Sequence, residues 1–151
     1  MTGLILREAI LPRMDGIRRN VGKLRRLAQL SEETFLEEDN LALVQHYLRL
    51  SLEGVFHIGQ HILARLPGAR ATEYRGIAQK LGEFKVVPLE FANRHLVPMA
   101  GMRNILVHQY ADIDVDRLRQ ILDAHLDEFE QFLSFVADLM KNPGRLGLET
   151  N

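Results

Sequence analysis

The octapeptide RNILVHQY, residues 103–110, sets an arginine, an amide, an imidazole and a phenol along a short stretch of chain. Cleaving RNA without a metal needs one group to take the 2′-hydroxyl proton and another to protonate the leaving 5′-oxygen. It also needs donors for a doubly charged phosphorane. A histidine with a pKa of about 6.5 serves either proton transfer near neutral pH. An arginine grips phosphate oxygens with its fork of N–H donors, and an asparagine can orient the phosphate or the imidazole. Arg103, Asn104 and His108 are therefore candidate catalytic residues. One histidine per motif is one short of a separate acid and base, and a two-fold dimer brings two.

The same residues have a plainer reading. Arg and His near a helix C-terminus are favourable partners of the helix dipole, and Tyr110 then packs as a core aromatic with a wet hydroxyl. On a helix at about 100° per residue, Met99, Met102, Leu106 and Tyr110 share one face. Val97, Gly101, Asn104 and His108 share roughly the opposite one. Asn104 and His108 are neighbours one turn apart. Arg103 and His108 diverge by about 140° on an ideal helix. They converge on one small ligand only if the helix ends or bends there, or if a second chain supplies one of them. Gly101 permits close approach on the His108 face, which favours a two-chain surface.

The elements that must carry this stretch are helical almost throughout, with no convincing strand alternation. A first helix is expected from about Leu4 to Leu30, delayed or kinked by Pro12. A second spans about Asn40 to Leu66, with Val44, Leu48, Ser51, Val55, Ile58, Ile62 and Leu66 along one face. "PGA" at 67–69 ends it. A third runs from about Thr72 to Leu81. A fourth begins near Pro88 and carries the octapeptide, with Pro98 implying a kink or restart. A fifth starts near Asp114, its apolar face made of Leu118, Ile121, Leu122, His125, Leu126, Phe129, Phe132, Leu133 and Val136. The fold expected is an all-α, up-and-down bundle of about five helices over residues 1–140. Residues 141–151, ending "NPGRLGLETN", read as a flexible tail.

Composition bounds what such a bundle does. The 151 residues suit one domain with a full core. With 46% hydrophobic and 26% charged residues the class is globular. No apolar run approaches a membrane span, the start is unlike a signal peptide, and a cytoplasmic setting is expected. The absence of cysteine excludes disulfides, thiolate metal sites and thiol nucleophiles. A formal net charge of −1 excludes a general polyanion binder. Nucleic acid would have to meet a local basic patch. The first helix holds Arg7, Arg13, Arg18, Arg19, Lys23, Arg25 and Arg26. They could track RNA phosphates, pair with the acidic segment at 32–39 or meet a partner, but a solvated face is the default.

Other clusters are weaker. His46, Glu53 and His57 lie opposite the second helix's core stripe. Glu53 and His57 are one turn apart and can pair, either as an accessory part of a dimer site or as a solvated polar face. His57 and His61 have the spacing of a metal pair, but no third ligand is evident and "HIGQH" lacks the Glu of a zinc-protease helix. No metal or other cofactor is expected. The alternate carboxylates of "DIDVD", 112–116, precede a helix and read as an N-cap.

The string YRGIAQKLGEFKVVPLEFANRHLVPMAGMRNILVHQYADID, 74–114, closely resembles the HepT-like family of HEPN-domain toxins. Their signature is Arg, four to six residues, then His, often followed by X-Tyr. Here it is Arg103, four residues, His108, Gln109 and Tyr110, with Asn104 as the polar residue after the Arg. The resemblance extends back through SLEGVFHIGQHIL, 51–63, and covers most of residues 5–140. It implies a metal-independent endoribonuclease toxin that works as a homodimer, with the motifs paired across the two-fold axis. It also implies an ATP-using antitoxin of the MntA type, a minimal nucleotidyltransferase. Such a partner silences the toxin by transferring AMP to the motif tyrosine, here Tyr110. The chain has no nucleotidyltransferase signature of its own, so the resemblance makes it the target. Where His57 stands, the family often has an Asp, so no acidic role carries over to that position. The competing reading is a silent HEPN module that only dimerises or binds a nucleotide or partner. The intact Arg103, Asn104 and His108 speak against it.

Overall fold

The computed structural model describes residues 3–151, apart from the side chain of Tyr110. It is a helical bundle. α1 (Arg7–Ala28) and α3 (Glu38–Leu63) are joined through the short α2 (Glu32–Phe35), which Ser31 caps by accepting from the Thr34 N–H. α1 and α3 run antiparallel. Leu6 N–H at the start of α1 meets His61 Nε2 near the end of α3 at 3.2 Å, while Lys23 Nζ lies 4.7 Å from the centre of the Tyr47 ring. Although α3 itself ends at Leu63, the expected stripe, from Val44 through Ser51 to Leu66, is buried throughout. Its one polar member donates its hydroxyl to the Tyr47 carbonyl one turn back, at 2.8 Å.

α4 (Tyr74–Glu83) packs on α3 and on the next rod. That rod is built from α5 (Leu89–Phe91), a π-helical stretch (Ala92–Leu96) and α6 (Val97–His108). Pro98 explains the wide turn. It has no N–H, and its ring crowds the carbonyl four residues back. The backbone opens just ahead of it, and the Val97 N–H reaches the Ala92 carbonyl five residues back. The kink expected at Pro98 is thus a π-turn before it. Gly82 lets α4 lie against this turn. A Cβ there would stand 2.6 Å from Cβ of Ala92 and 3.3 Å from the Leu89 Cα. Gly82→Ala is therefore expected to destabilise the fold by about 1–3 kcal/mol, the usual scale of overpacking, read as a lower urea midpoint.

The fifth expected helix is two, α7 (Val115–Ala124) and α8 (Asp127–Lys141). His125, counted above on the apolar face, is exposed at the break, where its Nδ1 lies 2.5 Å from a Glu128 carboxylate oxygen. An imidazole that finds a carboxylate in the turn has no reason to enter the core. Asp114 caps α7, accepting from Asp116 N–H at 3.0 Å and Arg117 N–H at 3.4 Å, so the capping role of "DIDVD" is met.

Both ends differ from expectation. Residues 143–146 form a 3₁₀ turn, and β2 (Leu148–Thr150) pairs in parallel with β1 (Gly3–Ile5). Gly147, at φ 70°, makes the corner between them. Ile5 and Leu148 are buried, and the Asn151 side-chain carbonyl accepts from Arg7 N–H at 2.8 Å. So residues 3–5 are a strand and not the start of a helix, and the last residues are not a loose tail. Among the described residues no helix is long and apolar enough to cross a membrane.

Candidate functional site

α6 divides into faces as its spacing requires. Met99, Met102 and Leu106 are buried, while Gly101, Asn104 and His108 are exposed and Val97 is half-buried. The helix ends at His108, and a 3₁₀ turn at Tyr110–Asp112 follows. The Tyr110 hydroxyl, the expected point of modification, lies outside the described side chains.

Arg103 turns toward α4. Its guanidinium carbon stands 4.4 Å from the centre of the Tyr74 ring, a cation–π contact. Nη1 donates to Asn104 Oδ1 at 3.4 Å. Nε is buried and has no hydrogen-bond partner among the described residues. An orphaned buried donor costs free energy, and the guanidinium it belongs to faces the Tyr74 ring. Tyr74 in turn stacks on the buried Phe56, ring centres 4.9 Å apart, and its hydroxyl lies 3.4 Å from His57 Nε2. Three elements thus converge, with His57 from α3, Tyr74 from the start of α4 and Arg103 from α6. Linear spacing gives no sign of Tyr74, which sits 29 residues before Arg103. The nearest signal is that the family-like string begins with it.

The electrostatics of this corner are cationic. Burial, and next the charge of Arg13 on α1, push the His57 pKa below its ordinary value; Arg103 acts in the same direction and Glu53 opposes. Burial pushes the Tyr74 phenol up, and the Arg103 charge pulls against it. Glu53 does not pair with His57. Its carboxylate takes Arg49 Nη1 at 2.6 Å instead. A guanidinium one turn away forms the stronger charge-assisted bond, and His57 is left to Tyr74. His61 has a structural task, accepting the Leu6 N–H. The described residues hold no group of three or more ligands fit for a metal ion.

His108 stands apart. Among the described residues no hydrogen bond joins it to Arg103 or Asn104. Near it, a shallow hollow between α3 and α6 is lined by Gln45, His46, Arg49, Leu106 and Val107. A larger cleft of about 740 Å³ lies on the other, methionine-lined side of α6. At its rim Glu128 is held between His95 Nδ1 at 3.0 Å and His125 Nδ1 at 2.5 Å. None of Arg103, Asn104 and His108 reaches that cleft, so size alone does not mark the site. On the basic first helix Arg18 pairs with Asp15 at 3.5 Å, and Arg25 pairs with Asp127 of α8 at 2.7 Å.

Residues 17–136 match the family model "Ribonuclease HepT-like". The chain is 25% identical over 123 residues to a tRNA nuclease HepT of Aphanizomenon flos-aquae, covering 80% of this chain and 82% of that one. It is 22% identical over 135 residues to an mRNA nuclease HepT of Shewanella oneidensis, covering 87% and 98%. Among solved structures, the tri-AMPylated Shewanella oneidensis HEPN toxin in complex with its MNT antitoxin superposes with a TM-score of 0.78 at 21% identity. That overlap spans 86% of this chain and 97% of the toxin.

Proposed function

The chain belongs to the ribonuclease HepT-like family and is an enzyme of the ribonuclease class, and on that premise we propose that it is the toxin of a toxin–antitoxin pair, an endoribonuclease that cuts RNA without a metal. The observation that carries this reading is that Arg103 is hydrogen-bonded to Asn104 while an exposed His108 stands at the end of the same helix. In this reading Arg103 and Asn104 hold the phosphate and its developing charge. His108 transfers a proton. Glu53 acts only indirectly, by keeping Arg49 in place on the same face. The products are a 2′,3′-cyclic phosphate, or its hydrolysis product, and a 5′-hydroxyl. The test is purified protein on RNA in EDTA, with the ends of the fragments identified by mass.

The working unit is a homodimer. His46, Gly101 and His108 are exposed, and the hollow over Leu106 and Val107 lies between the two helices that carry them. A two-fold contact of α3 and α6 covers this face and brings two motifs together. Light scattering at micromolar concentration is expected to give the mass of a dimer, and a monomer throughout that range would count against it.

The partner is an ATP-using minimal nucleotidyltransferase of the MntA type, and its target is the Tyr110 hydroxyl. The solved relative is itself a toxin carrying AMP and bound to an MNT antitoxin. In this chain Tyr110 follows His108 by two residues, just past the end of α6.

A further inference from the structure

Resting on the nuclease reading above, we propose that Tyr74 and His57 form the proton-accepting arm of the site, the Tyr74 hydroxyl touching the substrate and His57 standing behind it. The stack of Tyr74 on Phe56 and the cation–π contact with Arg103 fix the phenol beside the guanidinium that grips the phosphate. Its hydroxyl, 3.4 Å from His57 Nε2, is placed to donate to that nitrogen and to turn its lone pairs to the substrate. The base then comes from the same protomer as the arginine, and the second imidazole sought across a dimer axis is already on α3.

The step balances as follows. The 2′-hydroxyl proton passes to the Tyr74 oxygen as the Tyr74 proton passes to His57 Nε2. The 2′-oxygen bonds to phosphorus and the bond from phosphorus to the 5′-oxygen breaks. His108, protonated, delivers its proton to that oxygen. Tyr74 ends unchanged, and the two imidazoles have exchanged protonation states, which water restores.

His57 works in this role only as the neutral ring. The groups that face it are Arg13 of α1, Glu53 of its own helix, Tyr74 of α4 and Arg103 of α6. Burial and the two arginines outweigh Glu53, so the neutral form extends below the usual imidazole range. The acid limb of the rate profile should accordingly fall below about pH 6.5. A tyrosine that merely props Arg103 would leave the limb where it is when its hydroxyl is removed.

The decisive variant is Tyr74→Phe, which keeps the ring that stacks on Phe56 and under Arg103 and removes only the hydroxyl. Cleavage of a labelled RNA oligonucleotide in EDTA should fall by roughly 10² in kcat, with little change in KM and with the acid limb gone. His57→Gln should do the same, and the double variant should be no slower than either single one, because the two groups act as a unit. Tyr74→Phe cleaving at the wild-type rate with the limb in place would overturn the proposal, as would losses that multiply in the double variant. If Arg103→Ala and His108→Ala are dead while Tyr74→Phe is not, this arm fails and the nuclease reading stands. If wild type itself cuts no RNA, both fall.

Discussion

RNA incubated in EDTA with the His108→Ala protein, or with Arg103→Ala, is expected to be cut on the order of 10² or more times more slowly than with the wild type. The magnitude follows from what each residue is asked to do: proton transfer contributes about 10² to 10⁴ and an oxyanion donor about 10² to 10³. Structural collapse should not confuse the result for His108, which is exposed and makes no hydrogen bond to the other motif residues among those described. Arg103→Ala needs more care, because it uncovers Tyr74 as well as removing the charge. Arg103→Lys keeps a positive charge but loses the planar fork and the stack, and it should also fall well below wild type. Either alanine variant at full rate, with contaminating nuclease excluded, would end the assignment of the motif.

The second large effect concerns silencing. With an MntA-type partner and ATP, wild type should gain the mass of AMP and lose nuclease activity. Tyr110→Phe should gain no mass and stay active, since the phenyl ring has no oxygen to accept the group. A phosphodiester placed two residues beyond His108 competes with RNA for nearby arginine donors, and the adenylate blocks access to the imidazole. Inhibition then needs no change in either motif side chain. AMP appearing on Tyr110→Phe, or wild type silenced with no change in mass, would refute this mechanism while leaving the nuclease intact.

The sequence and the structure agree most where one helix face meets the core. The α3 stripe and the α6 split into Met99, Met102 and Leu106 against Gly101, Asn104 and His108 are both readable at 3.6-residue spacing, because burial there depends on local phase. Agreement fails where the decisive partner lies far along the chain. Leu4 and Ile5 look like a helix start until Glu149 and Thr150 pair with them from the other end. His125 continues an apolar periodicity, but a Glu128 carboxylate three residues on holds it in the break between two helices. The site shows the same division. The spacing of Arg103, Asn104 and His108 is local and legible. That Arg103 leans on Tyr74 is an outcome of packing between α4 and α6. Glu53 could have chosen either neighbour one turn away, and the Arg49 guanidinium forms the stronger charge-assisted bond.

The π-turn at Ala92–Leu96 sets the angular phase of everything after it. A turn of this kind stores about one surplus residue while the flanks keep their outward directions. Counted as uniform α-helix, Phe91 and Arg103 differ by about 120° around the axis; with one residue absorbed, the difference falls to roughly 20°. The direction of Arg103 is thus set by this wide turn as well as by its place in the motif. Family members without a proline at the position of Pro98 have no clash to relieve, and they should align with a single-residue gap somewhere in 92–96 while their arginine still points at the same neighbour. The gap would look like drift in an alignment, yet it would preserve the angular phase of the reacting groups, and trimming one residue here without replacing Pro98 should turn them out of line.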